Sequence, residues 1–175
     1  MGKASIIIDG YNLTGTISKN LEKVREQLIE DLCTYNRLKG YDIMVVFDGY
    51  KSNQHQSWGL RDGIEVVYSG HGEDADTLIK RLIKTTQKHY IVVSTDREIA
   101  AFVWANNCVP VKADVFIKKM KQALHSVRAV LPDDSTFDNK TCDDEYEDRV
   151  SKSKKGNAGK LSKKDKIIRN AVDKL

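Results

Sequence analysis

Short apolar runs alternate along this chain with longer stretches in which apolar residues recur every three or four positions. Ala4–Ile8, with three consecutive isoleucines, reads as a strand, as do Ile43–Phe47, Ile64–Tyr68, Tyr90–Val93 and Cys108–Val111. Runs that are apolar on both pleat faces suit a sheet covered on both sides. Between the first two strands Leu21, Val24, Leu28, Leu32, Tyr35 and Leu38 keep helical spacing, and Gly40 ends the segment. Leu78, Ile79, Leu82 and Ile83 mark a second helix, and Ile99, Phe102 and Val103 a third. Phe116, Ile117, Met120, Leu124 and Val127 mark a fourth. Five β/α units, without a visible repeat, predict an α/β fold: a three-layer α/β/α sandwich on a mostly parallel five-stranded sheet with right-handed crossovers. The polar stretch from Tyr50 to Asp62 fits neither period and reads as a long loop.

Composition agrees with one folded core. The 175 residues are 40% hydrophobic and 31% charged, and no apolar run approaches the roughly 18 residues of a membrane span. MGKASIIIDG is too short an apolar start for a signal peptide, so a cytosolic location is expected. Cys33, Cys108 and Cys142 are odd in number and widely spaced, which speaks against a disulfide framework or a zinc site.

The net charge of +4 conceals three blocks. Residues 1–131 carry 18 basic against 15 acidic side chains, residues 132–148 carry 1 against 8, and residues 149–175 carry 10 against 2. The expected organisation is therefore a domain over 1–131, an acidic linker over 132–148 and a basic tail over 149–175. Within the tail, Ser162 and Asp165 form a capping-box pattern, and Ile167, Ile168, Ala171, Val172 and Leu175 share one face of a short amphipathic helix. Docking on the body, contact with RNA or a ribosome, and a merely solvated tail are all open to it.

The chemistry gathers at strand ends. Open parallel sheets bind ligands beyond the carboxyl ends of their strands, and those positions here hold Asp9, Asp48, then Glu73, Asp74 and Asp76, then Asp96. Singly, each acid is explained by turn chemistry or helix capping. If capping preference puts an acid at such a junction roughly one time in three, four in succession arise by chance about once in eighty, so the set is more specific than its members. Like charges gathered this closely repel, and oxygen donors without His or Cys suit Mg²⁺ or Mn²⁺. The chemistry expected is metal-dependent phosphodiester hydrolysis.

These residues carry a resemblance. Ile6-Ile7-Ile8-Asp9-Gly10-Tyr11-Asn12, Val45-Val46-Phe47-Asp48-Gly49, Glu73-Asp74-Ala75-Asp76 with Ile79, and Val92-Val93-Ser94-Thr95-Asp96 occur in the order of the motifs of the NYN branch of the PIN-like ribonucleases. Over about residues 4–130 the chain resembles that branch, and its bacterial YacP-like members most. The resemblance implies a PIN-like fold and a Mg²⁺- or Mn²⁺-dependent endoribonuclease acting on single-stranded RNA, including mRNA on the ribosome. It implies Asp9, Asp76 and Asp96 as metal ligands, with Asp48 and Asp74 as further catalytic acids. The family's last block often reads Thr-Ser-Asp; the two hydroxyls are exchanged here.

Several neighbours carry two readings each. Asn12 either donates to a phosphate or a bound water, or it closes the turn after Asp9. Ser94 and Thr95 either contact substrate or cap the next helix. His71, between two glycines, is either a general acid or a loop residue. Lys51, Trp58 and Arg61, in the stretch read as a loop, mix the charge and aromatic surface that single-stranded RNA recognition uses. A non-cleaving RNA- or ribosome-binding regulator on the same fold is the rival function. Two other enzyme readings fail on residues. A haloacid-dehalogenase-like phosphatase needs an Asp where Tyr11 stands, and a dinucleotide-binding module needs a glycine-rich turn that Asp9-Gly-Tyr-Asn-Leu does not supply.

Overall fold

The computed structural model describes residues 4–14, 21–49, 57–70, 72–86, 88–128 and 162–175. In chain order the elements are β1 (Ser5–Asp9), α1 (Gly10–Thr14), α2 (Leu21–Lys39), β2 (Asp42–Phe47), β3 (Ser57–Arg61) and β4 (Ile64–Tyr68). Then follow α3 (Ala75–Thr86), β5 (Tyr90–Val93), α4 (Arg97–Ala105), β6 (Val109–Val111), α5 (Ala113–Arg128) and α6 (Lys163–Lys174). The strands form one sheet in the order β3-β4-β2-β1-β5-β6, parallel throughout except for β3.

The isoleucine run explains the layers. Successive side chains of a strand leave opposite faces, so Ile6 and Ile8 join the core under α2 and α5, while Ile7 joins the core under α3 and α4. All three are fully buried. The stripe Leu78, Ile79, Leu82 and Ile83 seals α3 on its face, each residue contributing about 1.5–3 kcal/mol by leaving water. Tyr35, Phe47 and Phe116 fill the opposite layer, where the rings of Tyr35 and Phe116 meet edge to face.

One sequence expectation changes. The sheet has six strands, and the sixth lies inside the stretch read as a loop: Ser57–Arg61 pairs antiparallel with β4, Arg61 opposite Ile64 and Ser57 opposite Tyr68. The hairpin turns on Asp62 and Gly63, whose φ angles of 48° and 85° are both positive, as a two-residue type I′ turn demands. Every residue of β3 is exposed, so no alternation of burial marked it.

For the tail helix, docking on the body is the alternative seen. Within 149–175 the structure describes residues 162–175, and there α6 begins with a complete capping box between Ser162 and Asp165. Ala171 and Leu175 are buried in the α2/α5 core. The Tyr35 hydroxyl donates to the Leu175 carbonyl at 2.5 Å, and Tyr41 donates to that of Lys174. A groove of about 760 Å³ between α6 and the body is bordered by Ala4, Tyr41, Tyr90 and Val109, residues at or just before the starts of β1, β2, β5 and β6. Helix α6 therefore lies at the amino edge of the sheet. The acidic stretch 132–148 is outside the described residues, as are Lys51 and His71.

Candidate active site

Parallel pairing fixes which side chains share the carboxyl edge. Asp9 lies level with Val46 of β2, and Ile8 with Val93 of β5. Asp9 thus ends the strand between β2 and β5, next to Ser94-Thr95-Asp96 on one side and Asp48 on the other. Asp76 approaches from the first turn of α3.

Asp9 is 3% exposed, and burial pushes its carboxyl above the ordinary aspartate range although several hydrogen bonds pull it back. Oδ1 accepts the backbone N–H of Asn12 at 3.3 Å. Oδ2 accepts from the Asn12 amide and, at 3.4 Å, from the Ser94 hydroxyl. Asn12 is itself held, because Thr95 Oγ1 donates to its side-chain carbonyl. Asn12 therefore orients Asp9 within the protein, and the Ser94-Thr95 pair supplies the second support.

Asp96 serves two ends at once. Its Oδ1 accepts from the backbone of Glu98 at 2.5 Å and of Ile99 at 3.2 Å, capping α4. The cap fixes the carboxylate beside Ser94, whose Oγ accepts the Asp96 N–H at 3.1 Å. Asp76, half-buried, makes no hydrogen bond among the described residues. Its carboxyl is raised, first by burial and then by the like charges of Asp9, Asp96 and Asp74. Asp76 therefore feels the charges of all three. Asp74 differs: the Thr77 side chain, and after it the Thr77 N–H donating at 2.7 Å, hold its carboxyl below the usual range. It caps α3 and contributes charge from the rim.

Asp48 is partly absorbed by structure. Ser69 Oγ donates to its Oδ1 at 3.1 Å, and the Tyr11 hydroxyl donates to its backbone carbonyl at 3.3 Å. Ser69, a buried polar residue, was not singled out in the sequence; the only signal for it is a hydroxyl directly after β4. Four ion pairs join described residues, Arg37–Asp62, Arg61–Glu26, Arg81–Glu73 and Lys88–Asp42. None includes Asp9, Asp48, Asp74, Asp76 or Asp96, so the edge keeps its negative charge.

The aromatic and basic positions of the former loop lie elsewhere. Trp58 sits opposite Val67 on the outermost strand, three strand spacings or about 14 Å from β1. The backbone of Arg61 lies opposite Ile64 at the amino end of the sheet, and its guanidinium extends along α2 to pair with Glu26 at 2.5 Å. Neither is brought to the carboxylates.

No three His, Cys, Asp or Glu side chains stand close enough to encage a metal ion among the described residues. The donor set nonetheless fits a hydrated cation. Mg²⁺ binds through one or two carboxylates, keeps several waters and reaches substrate phosphates, and Asp76 and the free oxygen of Asp96 flank Asp9 on an open edge. No helix among the described residues is long and apolar enough to cross a membrane.

Residues 6–165 match the family of YacP-like NYN domains. Among curated proteins, YacP of Bacillus subtilis (strain 168) is 26% identical over 84 residues, or 44% of this chain and 49% of that protein. The chain thus aligns with about half the length of that relative. Among solved structures, Rae1 (YacP) from Bacillus subtilis superposes with a TM-score of 0.58 at 19% identity, over 72% of this chain and 78% of that one. A single-residue variant of it gives 0.59 at 18%, over 72% and 80%. Identities this low speak for the shared fold.

Proposed function

The chain belongs to the YacP-like NYN domain family, and on that premise we propose that it is a Mg²⁺- or Mn²⁺-dependent endoribonuclease that hydrolyses phosphodiester bonds in single-stranded RNA. One observation carries the reading. The Asp76 carboxyl is raised first by burial and then by the like charges of Asp9, Asp96 and Asp74, and no described cation is ion-paired with any of these acids. Repulsion of about 1 kcal/mol per like-charged pair at 4 Å in water, more in a cleft, is offset when a cation binds.

Asp9, Asp76 and Asp96 would hold that cation, one or two of them directly and the rest through its bound waters, with a substrate phosphate completing its shell. When bound, it supplies a water activated for attack and neutralises charge on the phosphate. The remaining work belongs to side chains. Asn12 and Ser94 aim Asp9, the two α4 amides aim Asp96, and Asp76 stays free to adjust as substrate enters. Thr95 is the exposed hydroxyl of the group, and it would meet a phosphate oxygen by giving up its bond to the Asn12 side-chain carbonyl. RNA is the partner in this reading, mRNA on the ribosome included, and the cytosol is the compartment.

Labelled single-stranded RNA, alone and with translating ribosomes, is to be incubated with the wild-type chain and with an Asp9→Asn, Asp96→Asn variant in Mn²⁺, Mg²⁺ or EDTA. Cleavage that needs the metal and vanishes in the variant is expected. Binding without cleavage in every condition would instead identify a non-cleaving RNA- or ribosome-binding regulator on the same fold.

A further inference from the structure

Helix α2 places an arginine at the carboxyl edge, on the β2/β4 side of the acids. Arg25 lies one turn into the helix, with its guanidinium carbon 5.3 Å from the centroid of the Tyr68 ring. Tyr68 is the last residue of β4. The Tyr68 ring also stacks with Phe47, its neighbour on β2, at 5.6 Å and 25°, and Phe47 is braced edge to face by Tyr11 at 5.8 Å. The ring that holds the guanidinium is thus itself held by its neighbours. Arg37, farther along α2, lies beyond the amino end of the sheet, paired with Asp62 in the hairpin turn.

Arg25 differs from the other paired arginines in having no acid. Arg37, Arg61 and Arg81 each hold a carboxylate, whereas Arg25 makes no ion pair or hydrogen bond to any described residue, and its buried Nε has no oxygen to meet. A guanidinium stacked on an aromatic ring is already ordered, so little freedom is lost when its donors engage a ligand. Tyr68 is two strand spacings, about 10 Å, from the strand that carries Asp9. RNA approaching an edge lined by acids needs cations beside it, and the charge of Arg25 stands on that edge unspent.

We propose that Arg25, held by Tyr68, is a phosphate-binding subsite for single-stranded RNA, gripping a backbone phosphate next to the bond to be cut. The fork of the guanidinium suits two phosphate oxygens at once, and the ring of Tyr68, carrying the guanidinium, serves as its support. The subsite deepens the ribonuclease reading of the neighbouring acids and rests on it for the identity of the ligand.

Its test is binding, measured without cleavage. Fluorescence anisotropy of a labelled single-stranded oligoribonucleotide with the full chain in EDTA, between 50 and 200 mM salt, compares wild type with Arg25→Met, Arg25→Lys and Arg37→Met. Arg25→Met keeps an apolar stem over Tyr68 and is expected to bind about tenfold more weakly. The slope of log affinity against log salt should fall in size by about 0.7, the loss of one phosphate contact on a single strand. Arg37→Met should match wild type. Arg25→Lys, which keeps charge but loses the fork, should weaken binding with the slope unchanged, and it decides the matter should Arg25→Met melt abnormally. Wild-type affinity and slope in folded Arg25→Met, or an equal loss in Arg37→Met, would overturn the subsite. Arg25-dependent binding by a chain that never cleaves would leave the subsite standing and remove the ribonuclease reading.

Discussion

Asp76→Asn is expected to stabilise the cation-free protein and to abolish its response to Mn²⁺. The side chain is half-buried and pressed by Asp9, Asp96 and Asp74, in that order after burial itself. Removing its charge relieves about 1 kcal/mol of repulsion from each of the two stronger neighbours. It forfeits about 0.5–1 kcal/mol of favourable interaction between an acid and the first turn of α3. The balance is a gain of about 1 kcal/mol, a rise of about 3 °C in melting temperature for a chain of this size. With Mn²⁺ at about a hundred times its Kd, wild type gains about 2.7 kcal/mol and the variant gains little, so the two melting curves exchange order.

The pH dependence has a definite sign. A carboxyl whose folded pKa is raised above its ordinary 3.8, as those of Asp9 and Asp76 are, contributes stability that is fully present below pH 3.8 and is lost as pH rises through the raised value. Asp74, held low, works in the opposite sense and only below 3.8, where its contribution is lost as pH falls through its folded value. In EDTA the wild type should therefore lose stability from about pH 4 upward, and Asp76→Asn should lose less. Thermal melts in EDTA and in Mn²⁺ across that range are the assay. A variant less stable than wild type in EDTA at pH 7, with an undiminished Mn²⁺ shift, would refute the account of the edge as a repelling set that binds a cation.

Other consequences are more local. Asn12→Ala removes an amide donor from Asp9, so its carboxyl should rise further; activity should fall most at low pH and partly recover as pH increases, seen as a displaced acidic limb of the pH–rate profile. Gly10→Ala would drive a Cβ into the ring of Phe47, disturbing its stack with Tyr68; denaturant melts should show a loss of about 1–3 kcal/mol. Leu175→Ala empties a buried site in the α2/α5 core and should cost about 2–3 kcal/mol. Because α6 lies at the edge opposite the acids, kcat/KM of the folded fraction should remain at the wild-type value, and a large loss would tie α6 to the site.

The positions of the acids were legible because the rule that exposes them is local. A buried strand must end, the turn that ends it tolerates Asp, and parallel topology sends every such end to one edge. Asp9, Asp76 and Asp96 follow from three strand ends and the start of α3. Asp48 and Asp74 could be placed near that edge by the same rule, but their hydrogen bonds to Ser69 and Thr77 depend on side-chain direction, which spacing does not express. The two readings of Asn12 stayed open for the same reason: a donor to Asp9 and a donor to phosphate have the same sequence. Strand β3 was missed despite its Asp62-Gly63 turn, because an edge strand exposed along its whole length leaves no period in the pattern.

The amino-acid sequence alone determined the layers, the parallel strands and the acidic edge, since hydrophobic period and turn chemistry act between neighbours in the chain. Tertiary structure decided what distant segments do to one another. It set Arg61 against Glu26 and away from the acids, raised Asp76 through acids from other elements, and laid α6 under the hydroxyls of Tyr35 and Tyr41. It also left Arg25 stacked on Tyr68 without an acid. Each of these rests on distance in space between residues far apart in sequence, and burial and Coulomb energy depend on that distance alone.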